Sequence, residues 1–263
     1  MAMNKINVMI RSPRSRALFF RPAPPQTITV QAGETIYPVM LRKNRQARRY
    51  TLRIRPGSRE AILTMPLRGN LGDAKAFAQR HADWLATRLE KMPCCEPFAD
   101  GTTIPLRGLA HRIVHRAGER GTVWTETTDA GELLLNVAGA AEHTSRRLQD
   151  FLRREARRDL AVAIKNYADA LGVRIRRMTI RDQSSRWGSC NSDGALSFSW
   201  RLILAPPYVL DYLAAHEVAH LVEMNHSPAF WTVVERVCPH MDHAKAWLAA
   251  NGNNLHRYGA ADR

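Results

Sequence analysis

The hydrophobic pattern changes character along the chain, from short period-two alternations in the first half to long 3.6-residue repeats in the second. Tyr50, Leu52 and Ile54 alternate with Thr51, Arg53 and Arg55, which predicts a half-buried strand with one basic face. Arg59 to Met65 predicts a second strand, returning across a turn at Pro56-Gly57. Leu71-Gly72-Asp73 then opens a helix that puts Phe77, Trp84, Leu85 and Leu89 on one face and stops at Pro93. From Thr102 to Val137 the alternation is punctuated by Gly108, Gly118, Gly121 and Gly131, the pattern of short strands and hairpins such as Leu133 to Val137. Leu148, Phe151, Leu152, Ala156, Leu160, Ile164, Tyr167, Ala168 and Leu171 then recur at helical spacing over about six turns. Val173 to Ile180 and Ala195 to Leu202 read as strands of a sheet that this helix backs. The expected fold class is α+β, with no internal repeat. Residues 1–32 form a leading segment with Pro13, Pro22, Pro24, Pro25 and little periodicity, 33–141 a β-rich part with one helix, and 142–263 a second part.

That last part carries the chemistry, in the eleven residues HEVAHLVEMNH from His216 to His226. Positions four apart share a helical face, so His216 and His220 can direct ring nitrogens at one zinc ion. Glu217 sits about 100° around the helix, where a carboxylate reaches a metal-bound water without displacing it, the general-base position of a zinc hydrolase. Pro206 and Pro207 suit the first turn of this helix, and Tyr208, Leu210, Tyr212, Leu213 and Ala214 continue it. Ser227-Pro228 is an N-cap followed by a first helical residue, so the HEVAH helix is expected to end near Asn225 and a new one to start after His226. His226 at that corner is then a candidate third ligand, which leaves one place for water. Glu223 and Glu235 are rival third ligands, and helix capping is another use of His226.

With RDQSSRWGSC (Arg181 to Cys190) and SFSWRLILAPP (Ser197 to Pro207), the segment HEVAHLVEMNHSPAFW resembles the YgjP-like metallopeptidase domain family, related to the SprT-like zincins. The resemblance runs from about Ile36 to Leu248. It implies a zincin-like catalytic half: a small sheet packed on the HExxH helix and a long backing helix, preceded by a β-rich half. It also implies that His216, His220 and His226 bind one zinc ion and that Glu217 is the catalytic acid/base. One departure is visible, Ser199 where the family commonly has Asn before its Trp.

Composition and charge narrow the class. The 263 residues, 45% of them hydrophobic, can bury a full core. No apolar run reaches the length of a membrane span, and Ala17 to Phe20 is too short for a signal-peptide core. The scarcity of acids before Glu34 also fits an organellar transit peptide, the lesser reading. Cys94, Cys95, Cys190 and Cys238 lack CxxC spacing and read as reduced thiols of a cytoplasmic protein. Most of the net charge of +15 lies in the first sixty residues. There Arg42, Lys43, Arg45, Arg48, Arg49, Arg53 and Arg55 are either a solvated strand edge or a docking surface for an anionic partner, nucleic acid or a nucleic-acid-bound protein.

Three further residues are candidates for substrate contact: Arg186 and Trp187, on a segment that can pair with an extended peptide, and Tyr212 on the ligand face. Packing is the competing use of Trp187 and Tyr212, with Gly188 giving a tight bend beside the indole. Cys190 reads as a small buried residue rather than a nucleophile. The leading reading is a zinc-dependent hydrolase acting on protein or peptide substrates, through a zinc-bound water activated by Glu217. The alternatives are hydrolysis of a phosphoanhydride such as a nucleoside triphosphate, without a P-loop, and a basic nucleic-acid-associated module with structural zinc.

Overall fold

A computed structural model describes residues 27–55, 58–92 and 94–259. The fold is α+β, with three small sheets and six α-helices among the described residues. The turn at Pro56-Gly57 and the stop at Pro93 lie outside those residues.

The first sheet comprises β1 (Thr27–Ala32), β2 (Thr35–Asn44), β3 (Thr51–Ile54) and β4 (Ala61–Pro66), in the order β1-β2-β4-β3. Strand β1 takes in six residues counted with the leading segment in the sequence. The alternation of buried Ile28 and Val30 with exposed Thr27 and Thr29 is a strand signal that the nearby prolines outweighed. Strands β3 and β4 pair antiparallel, as the alternation at Tyr50 to Met65 predicts, while β2 and β4 run parallel. Behind this sheet lie α1 (Leu71–Arg80) and α2 (Ala82–Glu90), which bury Ala74, Ala78, Ala82 and Leu85 against Ile28, Val30, Val39 and Leu63. The single expected helix is thus two, broken at His81, whose ψ of 14 departs from helical geometry. The break turns Leu85 inward and leaves Trp84 48% exposed, off the common face that the sequence spacing gave it.

The second sheet repeats the order and directions of the first with different residues. It has β5 (Thr103–Leu106), β6 (Leu109–Arg116), β7 (Val123–Thr127) and β8 (Leu133–Ala138), ordered β5-β6-β8-β7 with β6 and β8 parallel. Helix α3 (Thr144–Leu171) packs on it through Leu148, Leu152, Ala156 and Leu160, and is longer than the periodicity indicated. It ends at Gly172, whose φ of 66 forms the left-handed cap that residues with a side chain resist.

The third sheet consists of β9 (Arg177–Arg181), β10 (Gly188–Cys190) and β11 (Ala195–Ser199), ordered β10-β11-β9. Strand β11 stops sooner than expected, because Ser199 caps a 3₁₀ turn over Trp200–Leu204 by accepting from the Arg201 N–H at 3.3 Å. Thus Ser199, the visible departure from the resembled pattern, has a structural use, wholly buried at a helix start. This turn meets α3 on one side and, on the other, α4 (Pro207–Ala219), followed by α5 (Pro228–Val237) and α6 (Met241–Asn251). The hydrophobic core around α3 and α4 runs without interruption from Phe98 to Leu255, separate from the cluster under the first sheet. No helix among the described residues is long and apolar enough to cross a membrane.

Candidate metal centre

Helix α4 is apolar nearly all round, burying Val209, Leu210, Leu213, Ala214, Ala215, Val218 and Ala219, which marks a helix enclosed in the core. His216 and His220 project from its C-terminal turn, and the helix stops there, at Ala219, rather than near Asn225. Geometry requires the early stop, since a helix kept up to Asn225 would carry residue 226 about 15 Å along the axis from His216. Instead the Leu221, Val222 and Glu223 N–H groups turn back onto the Val218 and Ala219 carbonyls, and the chain reverses. Ser227 caps α5 by accepting from the Phe230 N–H at 3.4 Å, with Pro228 as first helical residue, so the corner read in the sequence is present. It returns the His226 Nε2 to within 3.1 Å of the His216 Nε2.

His216, His220 and His226 each offer a ring nitrogen, and the three nitrogens lie within 4.8 Å of one another. The 3.1 Å between the His216 and His226 nitrogens fits a shared cation, because tetrahedral zinc with bonds of about 2.0–2.1 Å separates its ligands by roughly 3.3 Å. The other ring nitrogens have their own partners. His220 Nδ1 lies 3.3 Å from the Glu223 carbonyl, and His216 Nδ1 lies 3.5 Å from the Tyr212 hydroxyl. Such contacts orient a ligating imidazole and fix its tautomer. Phe230, fully buried, makes the floor, with ring centroids 4.9, 4.5 and 4.8 Å from His216, His220 and His226. Burial, then the two neighbouring histidines, pushes His216 down to about 4, so the ring is neutral with a lone pair to give. Among the described residues neither rival carboxylate joins the cluster; that of Glu223 accepts from the Asn225 N–H instead.

Glu217, next to His216 on α4, is buried, and its Oε2 has no hydrogen-bond partner. Desolvation pushes the carboxyl up to about 7, opposed by the charge of exposed Arg186. An orphaned buried carboxyl next to three convergent imidazoles suits a metal site, where water and ion would supply the missing partners. Gly188 makes room for it. A Cβ there would fall 2.4 Å from Glu217 Oε1 and 2.7 Å from Cγ, so the glycine serves close approach of the carboxylate rather than the tight bend expected of it. Sequence reading missed that role, although a glycine two residues after Arg186 was the available signal.

The remaining candidates divide. Trp187 stacks on His256 at 4.9 Å and lies against Gly252, so its ring is engaged in packing at the edge of the site. Tyr212 is buried and faces His216. Cys190 is pushed up to about 11 by burial and then by Glu217, in keeping with an inert thiol. Lys245, which sequence reading passed over, lies 4.8 Å above the Trp231 ring, itself 5.8 Å from both His216 and His226. Of the seven basic candidates, Arg42, Arg48, Arg49 and Arg53 surround one cleft on the first sheet. Arg55 pairs instead with Glu60 at 2.8 Å, and Lys43 and Arg45 do not line the cleft.

The chain matches the YgjP-like metallopeptidase domain family over residues 48–251. Among solved structures it is similar to the metallopeptidase zymogen abylysin of Pyrococcus abyssi, at 23% identity and a TM-score of 0.33, over 38% of this chain and 97% of that one. No curated protein matches it.

Proposed function

This chain belongs to the YgjP-like metallopeptidase domain family, and from that premise we propose that it is a zinc-dependent peptidase with His216, His220 and His226 as metal ligands and Glu217 as general base. The observation that carries the reading is the gathering of three ring nitrogens within 4.8 Å beside a buried carboxyl that has an unpartnered oxygen. Zinc, when bound, supplies a Lewis acid that polarises a carbonyl and acidifies water. Glu217, poised near neutrality by burial, accepts the proton released from the attacking water and passes it to the leaving amine. Tyr212 and the Glu223 carbonyl keep the His216 and His220 rings turned toward the ion.

Substrate alignment falls to β10, the outer strand of its sheet, which pairs only with β11 among the described strands. An extended peptide adds to such an edge through backbone hydrogen bonds, which tolerate many side chains. Arg186, exposed beside β10, attracts acidic groups of that peptide.

The test is metal analysis and turnover of the full chain on unfolded casein and on nucleoside triphosphates. Wild type is expected to carry one zinc and cleave casein, and Glu217→Gln to keep the zinc while losing about 10²–10⁴-fold in turnover. Undiminished turnover by Glu217→Gln removes the general-base role. Hydrolysis of triphosphates in place of casein removes the peptidase reading.

A further inference from the structure

The first two sheets share strand order and strand directions but use arginine in opposite ways. On the second, Arg112 forks onto Glu132 at 2.5 and 2.9 Å, while Arg116 donates to Asn136 at 2.7 Å and stands 3.6 Å from Glu126. Every arginine of β6 is therefore matched by a group of its own sheet or of the adjoining turn. On the first, Arg42 from β2 and Arg53 from β3 meet Arg48 and Arg49 from the connecting loop around a cleft of about 710 Å³. All four are exposed, and among the described residues none is held in an ion pair. The neighbouring carboxylate, Glu60, is taken by Arg55 and Ser58. Asn44, Gln46, Ala47, Thr51 and Thr64 complete the lining, which holds neither an acidic nor an aromatic residue.

From this contrast we infer that the cleft is a docking site for nucleic acid, holding the phosphate backbone of a strand without reading its bases. Guanidinium forks match phosphate oxygens with paired hydrogen bonds, and Thr, Asn and Gln side chains are the usual neutral partners of the same oxygens. Arg42 and Arg53 stand on strands separated by β4, about 10 Å apart at two inter-strand spacings. Four guanidinium groups spread over two strands and a loop carry more positive charge than a lone phosphate or carboxylate neutralises, and a polymer of regularly spaced phosphates matches them. With no aromatic ring to stack on a base, the grip falls on the phosphates, which carry no sequence information. The cleft lies on the first sheet, which covers one hydrophobic cluster, and the imidazoles stand on α4, which is packed in the other, so the inference stands apart from the peptidase reading.

Fluorescence anisotropy of the full chain with a labelled 20-nucleotide single strand and with its duplex, between 50 and 300 mM salt, tests it. Four neutralised phosphates give a log–log slope of about −3 on the single strand, and shuffling the bases leaves affinity unchanged. Arg48→Gln/Arg49→Gln, confined to a loop, is expected to reduce the slope by about 1.4. The quadruple variant with Arg42→Gln and Arg53→Gln added is expected to lose binding while melting as wild type does. Wild-type affinity in a quadruple variant that melts normally overturns the inference. Tighter binding of poly-glutamate than of the oligonucleotide overturns it too, and reassigns the cleft to an acidic protein.

Discussion

The imidazole cluster at the end of α4 and the arginine cleft on the first sheet both gather basic side chains, yet they do so in opposite surroundings. In the first, burial pushes His216 down to about 4 and Glu217 up to about 7, so the imidazole stays neutral well into acid and the carboxyl is held on the edge of ionisation. In the second, four guanidinium groups stand exposed to water. The difference separates two uses of nitrogen. A lone pair is needed to bind a metal and is gained by excluding water. A permanent charge left exposed to water attracts a polyanion from a distance. Changes in one region are therefore expected to leave the other untouched, and the following outcomes break or sharpen that separation.

The largest effect is expected of His226→Ala. It removes a ring nitrogen that stands 3.1 Å from that of His216, so on the proposed reading zinc content falls well below one per chain and casein cleavage falls by more than about 10³-fold. Oligonucleotide affinity stays at the wild-type value; a parallel loss of affinity would join the two regions after all. Next comes Gly188→Ala, whose Cβ would meet Glu217 Oε1 at 2.4 Å. Displacing the carboxyl by about 1 Å is expected to lower turnover about 10²-fold with zinc retained, and normal turnover removes the close-approach role of the glycine.

A pH experiment follows. Burial, then Arg201, pushes His256 down to about 4, against about 6.5 in the unfolded chain. Below about 6.5 the unfolded state binds a proton that the folded state refuses, so stability present above that pH is lost as pH falls toward 4. The full loss is about 3 kcal/mol at most. His256→Phe keeps a ring to stack on Trp187, and its denaturant midpoint is expected to vary less between pH 7 and 4.5. An equal pH dependence in variant and wild type assigns the loss to other groups. Ser199→Ala, by removing a cap, is expected to cost about 1 kcal/mol without changing turnover. Smallest of all, raising salt from 50 to 300 mM is expected to change cleavage of an uncharged peptide by less than about twofold, while oligonucleotide binding falls steeply.

Much of this was legible in the sequence because it depends on local spacing. The four-residue step from His216 to His220, the Ser227-Pro228 start and the alternation at Tyr50 to Arg55 each act within one turn or one strand. What was not legible depends on distant contacts. Nothing near Asn225 says that the helix stops at Ala219; the requirement comes from bringing His226 back to His216. The role of Gly188 comes from a carboxylate twenty-nine residues later, and the break at His81 from the need to bury Ala78 and Leu85 on one sheet. The repeated strand order of the first two sheets left no recognisable repeat, because strand order constrains directions and connections more than side chains.

Arg201 makes the core around α4 depend on a distant segment of the chain. Its guanidinium is 1% exposed and donates to the Leu255 and Tyr258 carbonyls at 3.0 and 2.6 Å, with Asp182 as its ion-pair partner at 2.9 Å. Trp187 likewise waits on His256 for its stacking partner. Without the segment around residues 255–258, the core would hold a buried cation lacking two of its acceptors, an arrangement that costs stability in a low dielectric. Closure of the core beside α4 is thereby tied to a segment more than fifty residues further along the chain, which fastens the 3₁₀ turn over Trp200–Leu204 from outside its own sheet.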